Sequence, residues 1–568
     1  MTNIPPSLNY FFWGALVTCL LFLAIDQQCR GILKNNWRVI CLVLLVALCW
    51  RVPFDGHFFY GLEYEDSYVY AVAGRDLSAG AHFCDQSSSC YLTTVCAVGS
   101  TNSCKFSETF SGHFIGYPFM VALVSRFFGY TPEVASYLSL VASLITVVVV
   151  FVVSALIYPG RVAREAGSLV FSLTPAFVVY GVGTYAEPVS GALVVTCLLL
   201  CLRLLNPTGE ESLPGIFLNW SALTLTALLA LVVKRENVLL VPVLVSTGLI
   251  LRSMSTMKIN RSRWPHYLLL LATICICAEF SLRQLQILRI IQSEKGEYSV
   301  FPFSLAILRA MLPLFLKSYV SSSWYLGSGV FVLLGVIASI KSQMRGIYVV
   351  TLLAMYLSLY TSHVRSYYQL QGIAATEFDT VRYSVNLGGL GSIIAGVGFA
   401  YLIEVLSKTR IQKHLKRFSA IFLWLLIGTY ALSSWVLSSR MKEDMLTNEL
   451  AVRIQPAQAA ADAATSLGLQ NTFVITQEPL LIQMLSSQPV NVIQFGYLDE
   501  ALVEDLQKQK PNLVFLYLEQ EIYTSEADRK RYRESFAYLQ GLQKDLLSQG
   551  EGYAVYRLRV PPIASSKL

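Results

Sequence analysis

The sequence predicts an α-helical polytopic membrane protein that ends in a small extracytoplasmic α/β domain. Three observations carry this. Of 568 residues, 54% are hydrophobic and 14% charged, and the mean hydropathy is +0.53, too apolar for a soluble chain of this size. Apolar runs long enough to cross about 30 Å of hydrocarbon recur over the first 440 residues. After Arg440 they give way to short β-rich segments alternating with helical ones.

About twelve spans are predicted, at 8–26, 38–53, 132–158, 168–184, 188–205, 216–233, 238–252, 265–282, 323–340, 347–362, 384–405 and 418–437. The second is the weakest, with an uninterrupted apolar core only from Val39 to Trp50. Lys and Arg collect in alternate loops: Arg30, Lys34 and Arg38; Arg161 and Arg164; Arg252, Lys258, Arg261 and Arg263; Lys341 and Arg345; Lys408 to Arg417. Short cytoplasmic loops carry such an excess, so both termini and the loop holding Asp66 are expected outside. The net charge of +7 reflects this loop bias and does not point to nucleic acid. No basic residue precedes the first run and no small-residue cleavage site follows it, so it reads as a retained helix.

Two domains are expected: a membrane domain over 1–440, including a large external loop at 54–131, and an extracytoplasmic α/β domain over 441–568. Within the loop, Ser67–Ala79 and Gly116–Phe128 place apolar residues at three- and four-residue spacing, as helices lying in the membrane surface do. A third surface stretch is expected around 283–321. In the tail, Asn471–Gln477, Val490–Tyr497, Asn512–Glu519 and Tyr553–Arg559 read as strands, with helices near 479–488, 498–510 and 525–549. No Gly-rich phosphate loop follows the first of these strands, which argues against a nucleotide-binding domain. Eight of the 12 cysteines lie in or beside spans, whereas Cys84, Cys90, Cys96 and Cys104 share the external loop. An even number at short spacing in an oxidising compartment predicts two disulfides of open connectivity, and zinc is disfavoured because no CxxC pair is present.

Polar chemistry concentrates on the external side. Glu63, Glu65 and Asp66 place carboxylates just outside the bilayer, where one can act as general base toward a hydroxyl or amine; Asp66 is the first choice. The competing reading is a solvated face or a helix cap. Glu187 lies in the tight turn Thr184-Tyr185-Ala186-Glu187-Pro188, where a cap is again the competing reading. Lys234 and Arg235, in the turn Lys234-Arg235-Glu236-Asn237, suit a phosphate or pyrophosphate; against this stands an ion pair with Glu236 or Glu187. Arg382, leading into the eleventh span, suits a lipid phosphate or a snorkelling role.

Taken in order, these features resemble the GT-C glycosyltransferases, in particular the bacterial branch related to protein O-mannosyltransferases and aminoarabinose transferases. Asp66-Ser67-Tyr68-Val69-Tyr70 through Arg75 is similar to the first-loop segment of that family, an acid followed by a tyrosine and an arginine on a surface helix. His113 through Tyr117-Pro118, with Phe127-Phe128-Gly129 following, resembles its second surface helix. Leu173-Thr174-Pro175 leading to Tyr180 and Glu187, then Val233-Lys234-Arg235-Glu236-Asn237, then Val381-Arg382-Tyr383, complete the match over most of residues 55–405. Many relatives carry an Asp-Glu pair where this chain has Glu65-Asp66-Ser67, and the cysteine-bearing insert and the first span have no counterpart in the shared core.

The resemblance implies an acceptor attacking the anomeric carbon of a sugar carried on a polyprenyl phosphate, with inversion, at the extracytoplasmic face of a bacterial inner membrane. It implies Asp66 as base, with Glu65 and Glu187 as further catalytic acids. Lys234, Arg235 and Arg382 would hold the donor phosphate, and Tyr70, His113, Tyr117 and Tyr383 would contact substrate. The partners expected are membrane lipid, the lipid-linked donor and an acceptor that is a lipid, a glycan or a protein. Cofactor use stays open: Asp66 and Glu187 offer oxygen ligands to Mg or Mn, and the Lys and Arg residues offer a substitute for the ion. A transporter or flippase is the rival class, but one would carry polar residues and broken helices near mid-membrane. A non-catalytic scaffold would leave Asp66, Glu187, Lys234 and Arg382 on one side of the membrane without a shared purpose. A transferase of whole glycans would need much the same residues as one that moves a single sugar.

Overall fold

A computed structural model describes residues 6–54, 65–78, 95–96, 116–158, 160–205, 213–254, 264–295, 324–342, 349–350, 352–354, 377–407, 428–440, 453–469, 472–486, 490–494, 512–518 and 542–559, with single positions at 309, 443, 530, 533, 536 and 539. Among the described residues, six helices are long and apolar enough to cross a membrane: Gln27–Arg51, Glu133–Ile157, Ala186–Leu204, Pro214–Val233, Pro265–Leu282 and Val385–Val405. Shorter apolar helices flank them, including Phe12–Ile25, Asn237–Thr247 and Ser328–Ser339.

In chain order the helices are α1 (Pro6–Ile25), α2 (Gln27–Arg51), α3 (Glu65–Ser78), α4 (Gly116–Phe128), α5 (Glu133–Ile157), α6 (Arg161–Leu173), α7 (Pro175–Val179), α8 (Ala186–Leu205), α9 (Leu213–Val233), α10 (Leu240–Met254), α11 (Trp264–Lys295), α12 (Ser328–Ser342), α13 (Glu377–Ser407), α14 (Gln455–Leu467) and α15 (Pro479–Leu485). The core of the bundle gathers Trp220, Leu198, Leu202, Leu223, Ile394 and Val397 from α8, α9 and α13. In lipid, close backbone approach replaces the hydrophobic drive, and α13 shows it. A Cβ at Gly396 would sit 2.7 Å from Gly167 N on α6, so only a glycine lets these helices meet.

Several boundaries differ from the sequence reading. α2 begins at Gln27, and Arg30, Lys34 and Arg38 lie on the helix, not in a loop. The cause is Asp26, whose side chain accepts the Cys29 N–H at 2.7 Å and starts the helix directly after α1. The expected surface stretch from 283 opens as a continuation of α11, which runs unbroken to Lys295. The span at 347–362 and the last one at 418–437 are described only in part, and all of 498–510 lies outside the described residues.

The fourth expected span is broken at Thr174-Pro175 into α6 and α7. Pro175 has no N–H, so the Phe171 carbonyl loses its helical donor. The Ala176 N–H turns aside to Trp324 O at 3.1 Å, which leaves Ser172 O without one as well. Arg51, fully buried at the end of α2, supplies both, with Nη2 donating to Phe171 O at 3.2 Å and Nη1 to Ser172 O at 3.0 Å. Ser434 donates its hydroxyl to Leu173 O. Every carbonyl freed by the break therefore finds a donor, as buried backbone requires.

Near the C-terminus lies a six-stranded mixed sheet of β1 (Val95–Cys96), β2 (Thr472–Thr476), β3 (Asn491–Gln494), β4 (Asn512–Leu518), β5 (Gln543–Gly550) and β6 (Tyr553–Arg559), in the order β1-β3-β2-β4-β6-β5. The first four strands in that order are parallel, and β6 and β5 close the sheet antiparallel. β5 falls within the stretch expected to be helical over 525–549. Its polar residues are those of an edge strand, held by the tight turn at Gly552 (φ +74°) and bulged between Leu546 and Ser548. α14, an alanine-rich helix the sequence reading missed, packs with α15 against β2 and β4. β1 comes from the external loop and pairs in parallel with β3, Val95 opposite Val492.

Cys84, Cys90 and Cys104 lie outside the described residues, and only the backbone of Cys96 is described. The eight cysteines whose side chains are described are free thiols.

Candidate active site

Glu187 and Lys234 meet at one end of the bundle, where α8 starts and α9 stops. Lys234 ends α9, and its Nζ lies 2.7 Å from Glu187 Oε1 in the first turn of α8, both side chains almost fully buried. A 3-10 turn over Arg235–Leu239 follows, and Asn237 pins it by donating to Ala230 O at 2.7 Å and Ser190 Oγ at 2.8 Å. Lys234 and Glu187, one expected to hold phosphate and the other to act as an acid, thus form the ion pair that is the competing reading of this turn.

Around this pair the neighbouring elements close a polar shell. Tyr117, on the first turn of α4, donates its hydroxyl to Ala135 O at 2.9 Å and lies 3.0 Å from Ser139 Oγ on α5. Burial pushes the Tyr117 hydroxyl well above its ordinary range, partly opposed by the Ser139 hydrogen bond, so the phenol stays neutral. Ser139 donates to Tyr185 O at 3.4 Å and Ser136 to Val182 O at 2.5 Å, fixing the turn that delivers Glu187. The start of α4 touches the end of α9: a Cβ on Gly116 would lie 2.6 Å from the Val232 carbonyl carbon, just before Lys234. The Tyr70 ring of α3 meets the Tyr117 ring edge-on at 5.3 Å.

The backbone also sets the level of Arg382. Gly191 of α8 lies against Val385 and Asn386 of α13, and Gly389 lies against Val195, so the two helices run parallel with matched register. Four residues toward their starts, that register brings Arg382 level with Glu187. Glu65 and Asp66 open α3, and Arg382 and Tyr383 lie in the first turns of α13; for these four and for Arg235 only the backbone is described. His113 lies outside the described residues.

The sequence reading missed Ser136, Ser139 and Ser190 as members of this shell. Ser136, Ser139 and Ser143 recur at three- and four-residue spacing in an otherwise apolar helix, a stripe that marks one face of α5. At Glu187, expected to be a candidate ligand for a divalent cation, the Lys234 ammonium lies on one carboxylate oxygen and supplies positive charge there itself. No group of three or more His, Cys, Asp or Glu able to hold a metal occurs among the described residues.

No protein-family profile matches the chain, and no curated protein matches it by sequence. Solved structures do match. ArnT from Cupriavidus metallidurans bound to undecaprenyl phosphate superposes with a TM-score of 0.57 at 12% identity, over 92% of this chain and 98% of that one. The apo state of the same protein gives 0.56 at 13% identity over the same shares, 92% and 98%. The Archaeoglobus fulgidus oligosaccharyltransferase tethered with an acceptor peptide gives 0.45 at 10% identity, over 93% of this chain and 74% of that chain. The fold of this chain is thus that of ArnT.

Proposed function

We propose that this chain is a GT-C type glycosyltransferase that moves a sugar from a polyprenyl-phosphate carrier to an acceptor at the extracytoplasmic face of the membrane. The observation that carries the reading is the shared fold with ArnT over 92% of the chain, with a buried lysine held by a carboxylate at the bundle end that also packs α3 and α4. In this reading residues 1–440 form the catalytic membrane domain and 441–568 an extracytoplasmic α/β domain. The acceptor oxygen or nitrogen attacks the anomeric carbon as the bond from that carbon to the phosphate oxygen breaks. Asp66 takes the acceptor proton, and the polyprenyl phosphate leaves with the bonding electron pair.

Each residue type suits its step. A carboxylate is a suitable base for an acceptor hydroxyl or amine whose proton is lost as the new bond forms. Glu187 fixes the Lys234 ammonium, so the cation is preorganised for the charge that grows on the departing phosphate. In this reading Arg235 and Arg382 are assigned to the donor phosphate with Lys234, Glu65 is a further catalytic acid, and Tyr70, His113, Tyr117 and Tyr383 are assigned to the substrate. With Lys234 as the resident cation, no step is routed through a metal.

The test is a structure of the protein in lipid with a polyprenyl-phosphate sugar analogue. Phosphate density beside Lys234 and Arg235, with Asp66 facing the anomeric carbon, is the expected result. An analogue that finds no site there, together with a continuous polar route across the membrane, would make the chain a transporter.

A further inference from the structure

Helix α3 carries Glu65 and Asp66 on its first turn and is buried on two sides at once. Tyr68, Ala71 and Val72 belong to the apolar cluster of the C-terminal layer, with Leu481, Ile482 and Val492. Tyr70 belongs to the cluster at the end of the membrane bundle, with Tyr117, Val189 and Val233. On that second side α3 and α4 approach so closely that a Cβ on Gly74 would run into the Val121 side chain and come within 3.2 Å of Pro118 O. Apolar contacts alone are non-directional and define the axial position of a helix loosely. A directional contact is needed to fix it.

Arg75 provides one. Only 2% exposed, it donates from Nη1 to the carbonyls of Gln483 and Ser486, the latter at 3.0 Å, and from Nη2 to Gln483 Oε1 at 3.1 Å. These carbonyls close the C-terminus of α15, where the helix dipole favours a cation. The Gln483 amide in turn accepts from Val490 N at 3.3 Å and donates to Val490 O, one residue before β3. β3 pairs with β1 from the same external loop as α3, so the loop is joined to the layer at two points. On the near side, Arg453 stacks 6.0 Å from the Tyr68 ring and pairs with Glu478 at 2.6 Å, just before α15.

We propose that Arg75 is a positioning residue. Through its fork onto Gln483 and Ser486, the C-terminal layer sets where the acids of α3 stand over the membrane site, which makes that layer part of the transfer apparatus. The proposal rests on the transferase reading above and adds a residue and a layer to it. A lysine at this position keeps the charge but loses the planar fork. A displacement of about 1 Å in a catalytic group lowers turnover by as much as about a hundredfold while leaving donor contacts elsewhere intact.

The experiment uses the full-length protein in lipid vesicles. It measures hydrogen exchange over 65–78 alongside kcat and donor KM with a polyprenyl-phosphate sugar, for wild type, R75K and the milder Gln483→Leu. Expected for R75K are faster exchange in α3, a kcat lower by about tenfold and a donor KM within about twofold, because the partners of the fork belong to the C-terminal layer and not to the turn that carries Lys234. Gln483→Leu moves the same readouts in the same direction by less. Unchanged α3 exchange and kcat in folded variants overturn the proposal. So does a loss of kcat matched by faster exchange throughout the protein, which is a structural role only. Wild-type protein that transfers no sugar, with α3 exchange still responding to R75K, overturns the transferase reading and Arg75's part in it, while the ordering of α3 by the junction stands.

Discussion

Two of the cations buried among the described residues of the membrane bundle, Arg51 and Lys234, are used in opposite ways. Arg51 spends all five of its N–H donors on the fold. Nε donates to Ser143 Oγ at 2.9 Å, Nη1 to Ala47 O at 3.3 Å and Ser172 O at 3.0 Å, and Nη2 to Phe171 O at 3.2 Å and Phe177 O at 3.1 Å. None of these acceptors is a carboxylate, and most are carbonyls at the break between α6 and α7. Lys234, at the candidate site, instead meets a full negative charge, Glu187, at 2.7 Å in the neighbouring helix. A guanidinium saturated by backbone dipoles is a pin for a broken helix. An ammonium held by a carboxylate, at a bundle end that gathers the Tyr117, Ser139 and Ser190 hydroxyls, is the arrangement that the transferase reading uses for a departing phosphate. Burial is common to both, and to Arg203 of α8, which pairs with Asp26 at 2.7 Å, so neither burial nor a carboxylate partner identifies function by itself; the groups around the pair must be weighed with it.

The sharpest way to test the functional half of this contrast is at the acid. Asp66→Asn is expected to fold and insert normally while lowering transfer by about 10²- to 10⁴-fold, the share a general base supplies; retained turnover would move the base to Glu65. Next comes the ion pair. Lys234→Ala strands Glu187 in a buried site and is expected to cost about 3–5 kcal/mol of stability as well as donor binding. Neutralising both partners, with Lys234→Met and Glu187→Gln together, should recover most of that thermal stability without recovering donor affinity. Full recovery of both would class the pair with Arg51 as structural.

Arg51→Met probes the other half. It leaves the carbonyls at the α6–α7 break undonated, and a loss of about 3 kcal/mol or more is expected in a thermal melt, with kcat of the folded fraction within about threefold of wild type. A selective collapse of kcat would instead make Arg51 part of the site. The smallest effect is expected from chelation: with Lys234 as the resident cation, transfer measured in vesicles with EDTA should stay within about twofold of the untreated rate. A loss restored by Mg or Mn would show that an ion binds elsewhere, at the Asp66 end of the site.

Much of this was legible along the chain because it depends on local pattern. The apolar runs at α5, α8 and α9, helices α3 and α4, and strands β2, β3, β4 and β6 all follow from periodicity and β-branched content within a few residues of their bounds. The turn Lys234-Arg235-Glu236-Asn237 stood out because charge in apolar surroundings is costly. Arg51 did not stand out, since an arginine at the end of an apolar run reads as its flank. Its partners beyond its own helix are residues 92 to 126 positions away in sequence. β5 read as helix because an edge strand has no buried face to impose alternation on its sequence.

By itself the sequence determined where most of the long apolar helices and four of the strands lie, because those depend on composition and spacing along the chain. Only the tertiary structure decided that Glu187 is the partner of Lys234, that serines from α5 complete the shell, and that the C-terminal layer clasps α3 through Arg75 and takes a strand from its loop. These are contacts between residues far apart in the chain. Each is chosen by which groups burial leaves without water and within reach of one another, a condition that exists only once the helices have packed.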